Sequence, residues 1–152
     1  MECEMKDFIF DIDGTLADPT HRRQFVRTQP RNWPAFNAGI IHDAAHEHVI
    51  FILNTLHSVG HRIIIATARQ EFQREMTEKW LHEVAGIPFL WEKMYMRADN
   101  DYRDDSIVKR EILAAMRSDG YNPYIVFDDR DRVVSMWREE GIKTFQVEPG
   151  DF

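Results

Sequence analysis

Apolar residues follow two rhythms along this chain. Short, nearly continuous runs occur at Met5–Phe10, His61–Thr67, Lys93–Arg97, Tyr124–Phe127 and Lys143–Val147. Runs of that length, rich in β-branched and aromatic residues, predict strands buried on both faces. Between them the spacing changes to that of helices. Asp43 reads as an N-cap for a helix carrying Val49, Ile52, Leu53 and Leu56 up to Gly60. Gln70–Ala85 places Phe72, Met76, Trp80 and Val84 on one core-facing stripe, ended by Gly86-Ile87-Pro88. A third helix spans 105–118 before Asp119-Gly120, and a fourth carries Val133, Val134, Met136 and Trp137 to Gly141.

Pro19-Thr20 looks like a further helix start, and Thr28–His42, broken by Pro30, Pro34 and Gly39, reads as irregular. The whole stretch 16–42 is expected to be a short cap or lid, with Trp33 and Phe36 packing it. Strands alternating with helices imply an α/β, Rossmann-like three-layer fold around a mostly parallel five-stranded sheet. One domain over residues 1–152 accounts for the length. In such sheets ligands bind beyond the carboxyl ends of the strands.

Composition narrows the class. A hydrophobic share of 43% and a charged share of 30% suit a globular protein, with no apolar run of membrane-spanning length. The start, Met1-Glu2-Cys3-Glu4, is acidic where a signal peptide would be basic, and the lone Cys3 suits a reducing cytoplasm. A net charge of -7 argues against wrapping a polyanion, though local arginines could still grip one phosphate or strand end.

The candidate chemistry sits where the strands end. Phe8-Ile9-Phe10-Asp11-Ile12-Asp13-Gly14-Thr15 closes an apolar run with two carboxylates at i and i+2, then a glycine. Carboxylates held that close need a cation between them or a proton shared by them, and Mg2+ is the natural hard cation; the plainer reading is an Asx-rich turn. Strand two ends in Thr67 and Arg69, strand three leads to Asp104, Asp105 and Lys109, and strand four ends in Asp128 and Asp129. Carboxylates, a hydroxyl, a lysine and an arginine on one sheet edge suit a metal together with a phosphate. His42, His46 and His48 lack an evident third metal ligand and read as solvated.

These motifs resemble the haloacid dehalogenase superfamily of phosphohydrolases: Asp11-Ile12-Asp13-Gly14-Thr15, then Thr67, Lys109 and Asp128-Asp129. More narrowly, Thr67-Ala68-Arg69, the run Arg103–Ile112, Asp128-Asp129-Arg130, Val134–Arg138 and the tail Gln146–Phe152 resemble the 3'-phosphatase domain of phage-type polynucleotide kinase/phosphatases. The resemblance implies Asp11 as nucleophile, Asp13 as general acid and base, and Thr67 and Lys109 on the phosphoryl oxygens. It implies Mg2+ at Asp11, the Asp13 carbonyl, Asp128 and Asp129, and substrate contacts from Arg69 and from Arg22 or Arg23. Asp105, one turn before Lys109, either orients that lysine or caps the helix.

The function implied is removal of 3'-phosphate from polynucleotide ends or 3'-nucleotides, through an aspartyl-phosphate. A small-nucleotide phosphatase, such as a 5'(3')-deoxyribonucleotidase, and a non-catalytic binding module are the rivals. Two departures stand out. Ala68 replaces a usual glycine, and no Gly-x-x-x-x-Gly-Lys-Ser/Thr loop occurs, so any kinase or ligase is expected on a separate partner.

Overall fold

The computed structural model describes residues 3–152; Met1 and Glu2, half of the acidic start, lie outside the described residues. Five strands form one parallel sheet: β1 (Asp7–Phe10), β4 (Arg62–Gln70), β5 (Trp91–Arg97), β6 (Pro123–Asp128) and β7 (Lys143–Gln146). Their order is β5-β4-β1-β6-β7. The chain therefore winds one way from β1 through β4 to β5, then crosses to the other side of β1 with β6. That reversal makes the carboxyl end of β1 the switch point, where a crevice opens.

Alternation along the strands builds a core on each face. Phe8, Phe10, Ile63, Ile65, Met94 and Met96 pack beneath α3 (Glu47–Ser58) and α4 (Arg74–Glu83). Ile9, Ile64, Tyr95 and Val126 pack beneath α5 (Asp105–Ser118) and α6 (Asp131–Glu139). Because both faces are covered, the strand sequences read as unbroken apolar runs rather than alternating ones.

The excursion after β1 is more ordered than its sequence suggests. Two-residue strands β2 (Ala17–Asp18) and β3 (Ala44–Ala45) pair antiparallel and tie its two ends together. Between them lie α1 (Thr20–Arg27), α2 (Trp33–Ala38) and a 3-10 turn over Gly39–His42. Thus 28–42 is not irregular: Asn32 caps α2 by accepting from the Ala35 N–H at 3.1 Å, and Pro34 sits in the first turn, where its missing N–H costs nothing.

Two other expectations fail for identifiable reasons. The helix after the excursion begins at Glu47, four residues beyond Asp43, whose side chain is buried in an ion-pair network instead of capping. The stripe of Phe72, Met76, Trp80 and Val84 is not core as a whole: only Trp80 is buried, with Thr77 and Leu81. A 3-10 turn at Glu71–Gln73 delays α4 to Arg74 and takes Phe72 out of the helical spacing, while Met76, inside α4, lines a surface notch beneath α2.

Trp80 and Trp137 are the largest fully buried side chains, one on each face of the sheet. Each spends its indole N–H on an aspartate: Trp80 on the Asp43 carbonyl of the cap at 2.8 Å, Trp137 on the Asp128 carboxylate at the end of β6 at 3.1 Å. Core packing and the positions of these aspartates are thereby linked. Trp137→Phe keeps most of the buried ring but removes one of the two donors to the buried Asp128 Oδ2, leaving only Lys109. It is expected to cost about 1.5–3 kcal/mol, read as a lower urea midpoint with unchanged far-ultraviolet circular dichroism.

Candidate active site

β1 and β6 run side by side in register, with Phe10 opposite Phe127 and the Asp11 N–H donating to the Phe127 carbonyl at 3.0 Å. The two phenylalanine rings stack at 4.6 Å and 7°. The next residue on each strand is an aspartate, so Asp11 and Asp128 emerge together at the sheet edge. Asp129 follows directly. Ligand oxygens of Asp11, Asp128 and Asp129 lie within 4.8 Å of one another, and all three side chains are buried.

One cation faces them. Lys109, buried on α5, places Nζ 2.8 Å from Asp11 Oδ1 and 2.7 Å from Asp128 Oδ2. Burial works against its ammonium, but the two carboxylates hold it charged, above the usual lysine range. The carboxylates remain in excess. Burial and the charges of Asp128 and Asp129 push Asp11 well up, although Lys109 opposes the shift. Burial and Asp128 raise Asp129 to about 6. Three hard oxygen donors, too crowded for one ammonium, fit a divalent cation such as Mg2+. The Asp13 side chain is not among these donors; the sequence reading drew on its main-chain carbonyl.

Gly14 makes the crowding possible. Its φ is +86°, and a Cβ there would lie 2.0 Å from the Asp129 carboxylate. Gly150 closes the opposite side, where a Cβ would lie 2.1 Å from the Asp129 carbonyl oxygen.

Asp13, only two residues from Asp11, belongs to a different network. Arg69 donates to both of its oxygens, at 2.7 and 3.0 Å, and Arg22 donates at 2.7 Å. The same arginines reach the buried Asp43: Arg22 at 2.7 and 2.9 Å, Arg69 at 3.2 Å. Burial opposes ionisation of Asp13, yet Arg69, Arg22 and Lys109 prevail and hold its carboxyl at about 2. Its side chain stays 36% exposed, so one edge faces the cleft.

Of the two candidate arginines, the fold buries Arg22 in this network, while Arg23 lies against the Phe152 ring at 4.6 Å. Thr67 and Arg69 both lie near the carboxyl end of β4, where the pairing with β5 slips between Ala66 and Gln70. Such an irregularity re-aims side chains at a sheet edge. The Thr67 hydroxyl accepts from the Arg69 N–H at 3.2 Å, which leaves its own proton to donate. Ala68 is not among the non-glycine residues with positive φ, so its backbone tolerates the side chain.

Asp105 neither orients Lys109 nor caps α5. Its carboxylate pairs with Arg97 and Arg130, and the cap is Asp104, which accepts from the Ser106 N–H at 2.9 Å. Lys109 is aimed instead by Asp11 and Asp128. Arg97 and Asp43, both buried, are the members the sequence reading missed. For Asp43 the sequence held no signal that sets it apart from an ordinary helix cap. All of these groups except Thr67 and Asp43 line one cleft of about 1280 Å³. His42, His46 and His48 gather no further ligand among the described residues.

The family model described as the polynucleotide kinase PNKP phosphatase domain matches residues 5–152. The structure of a Pnkp1/Rnl/Hen1 RNA repair complex contains a chain that is 30% identical, with a TM-score of 0.80 over 100% of this chain and 47% of that one. A provisionally named bifunctional polynucleotide kinase/RNA ligase of Autographa californica nuclear polyhedrosis virus is 29% identical over 135 residues, or 88% of this chain and 18% of the viral protein. This chain thus spans about half of one relative and under a fifth of the other. The fold alone is shared with a class C acid phosphatase from Bacillus anthracis with tungstate bound, at 19% identity and a TM-score of 0.69 over 98% of this chain and 68% of that one. The chain belongs to the polynucleotide kinase PNKP phosphatase domain family and is a haloacid dehalogenase-type phosphatase.

Proposed function

We propose that this phosphatase removes 3'-phosphate from polynucleotide ends or 3'-nucleotides by transferring the phosphoryl group to Asp11. The observation that carries this is the meeting of a buried, charge-crowded Asp11 with Lys109, Arg22 and Arg69 on one cleft. The RNA repair assembly and the kinase/ligase fusion of the relatives support the substrate class, and they support a kinase or ligase as a functional partner.

In the first half-reaction an Asp11 oxygen bonds to phosphorus, the P–O3' bond breaks, and the departing oxygen takes a proton from Asp13. In the second, water attacks the phosphorus of the aspartyl-phosphate, Asp13 takes its proton, and the Asp11 carboxylate is released. Thr67 and Lys109 balance charge on the phosphoryl oxygens. Mg2+ held by Asp11, Asp128, Asp129 and the Asp13 carbonyl would neutralise charge on the carboxylates and the phosphate together.

A carboxyl held at about 2 is ionised, as the base role requires, but it is weakly basic and lacks the proton that the acid role needs. The arginines that hold it down are those assigned to substrate. A phosphate dianion competing for Arg22 and Arg69 would loosen their grip on Asp13 and raise its proton affinity as the acid is needed.

Rates on a 3'-phosphorylated oligonucleotide, a 3'-mononucleotide and a 5'-mononucleotide, with and without Mg2+, test the assignment. The oligonucleotide is expected to be fastest and Mg2+ essential; equal or faster turnover of the 5'-mononucleotide refutes it. Asp11→Asn is expected to reduce turnover to background while the protein stays folded, checked by thermal melting.

The metal site also predicts a pH dependence. Asp129 at about 6 in the fold lies above its unfolded value of about 3.9. With chelator present, its contribution to stability is complete below about pH 4 and is lost as pH rises through 6. Asp13, held at about 2, contributes in the opposite sense and loses stability only as pH falls from about 4 towards 2. Mg2+ should therefore raise Tm more at pH 7.5 than at pH 5. In chelator, Asp129→Asn should melt several degrees above wild type at pH 7.5 and close to it at pH 5.

A further inference from the structure

A notch of about 470 Å³ opens between the cap and the body of the protein, lined by Trp33 on α2, Phe72 before α4 and Met76 on α4. Its size falls among pockets that hold small ligands, roughly 300–1,000 Å³. Both aromatic rings are about half exposed: 49% for Trp33 and 59% for Phe72. The notch is built rather than accidental. Gln73 donates to Asn37 across it at 3.0 Å, pinning α2 to the body, and the Phe72 N–H is held by Asp99 at 2.8 Å. Trp33, Phe72, Asn37 and Gln73 also line the catalytic cleft, so notch and cleft are continuous.

A second observation concerns charge. The cleft arginines nearest the catalytic groups are paired: Arg22 and Arg69 with Asp13, Arg97 and Arg130 with Asp105. Arg27 and Arg31, which line the cleft on the cap side, have no carboxylate partner among the described residues. Arg31 lies 6.0 Å from the centre of the Trp33 ring. In a chain of net charge -7, cations left unpaired beside an exposed aromatic notch call for an external anion joined to a flat apolar group. A nucleotide unit is both.

We infer that the notch between Trp33 and Phe72 receives a nucleobase of the substrate strand, with Arg27 and Arg31 pairing the phosphodiester beside it. This rests on the polynucleotide reading above and deepens it. The base must leave its neighbours to enter, so a single-stranded end is the preferred substrate and a lone 3'-mononucleotide a poorer one.

The test is steady-state kinetics on a 3'-phosphorylated single-stranded oligonucleotide with an abasic unit placed in turn at each of its last three positions. At one position, loss of the base raises KM at least about fivefold in the wild type. Trp33→Leu and Phe72→Leu raise KM on the intact oligonucleotide by a similar factor, and Trp33→Phe recovers most of the loss. The two losses are not additive, so variants and wild type converge on the sensitive abasic substrate. Arg31→Gln flattens the dependence of KM on salt.

Thermal melting confirms that each variant is folded, as expected for half-exposed positions. If the wild type hydrolyses the oligonucleotide but no abasic position matters, or both leucine variants keep KM within twofold, the notch is not a base subsite and the 3'-phosphatase reading stands. If the wild type turns over a 5'-mononucleotide as fast as or faster than the oligonucleotide, both readings fall.

Discussion

Three buried carboxylates share one buried ammonium, and most of the structure near the sheet edge follows from that imbalance. Parallel pairing of β1 with β6 leaves Asp11 and Asp128 no choice but to emerge side by side, and the stacked Phe10 and Phe127 rings fix the spacing from below. Compensation comes from Lys109, from the Trp137 indole N–H and from the Asp129 amide, which donates to Asp128 at 2.9 Å. It is incomplete: burial and the neighbouring carboxylates together leave Asp11 and Asp129 with a raised proton affinity. A site left short of positive charge inside a low-dielectric surround is one prepared for a cation.

The neighbouring network is built on the opposite principle. Asp13 and Asp43 face Arg22 and Arg69, two charges of each sign, with guanidinium forks bridging both carboxylates. Balanced and multiply bonded, it gives a fixed arrangement of donors rather than an open demand for charge. Asp11 and Asp13 stand two residues apart yet serve these different networks, because β1 ends at Phe10 and the chain begins to turn at Ile12, whose carbonyl accepts from the Thr15 and Leu16 N–H groups. The division suits phosphoryl transfer, in which a nucleophile needs its charge managed and a substrate needs a prepared anion clamp.

The cap matters because it supplies half of that clamp. Arg22 comes from α1, and the short β2–β3 pairing holds both ends of the excursion close to β1. Trp80 fastens the Asp43 carbonyl to the core beneath α4. At the mouth of the cleft the Phe152 ring lies between Arg23 of the cap and Arg130 of the body, at 4.6 and 4.7 Å. Cap and body are thus joined by cation–π contacts at the rim and ion pairs within.

Five apolar runs, four of them leading into chemistry-bearing residues, were enough by themselves to determine a doubly covered parallel sheet and to mark Asp11, Lys109, Asp128 and Asp129 for one edge. That much is local: strand burial writes itself as hydrophobic runs, and turn chemistry follows at once. What decided the rest was contact between distant segments. Asp43 looked like a helix cap because nothing nearby in the chain announces Arg22 and Arg69 as its partners. Asp105 looked like a guide for Lys109 because helical spacing cannot reveal that Arg97 and Arg130 lie closer. Phe72 looked like core because periodicity carries no record of the 3-10 turn before α4, and Met76 because it carries none of the notch between cap and body. Periodicity reports which side of an element is buried; only the packed fold chooses which charges meet.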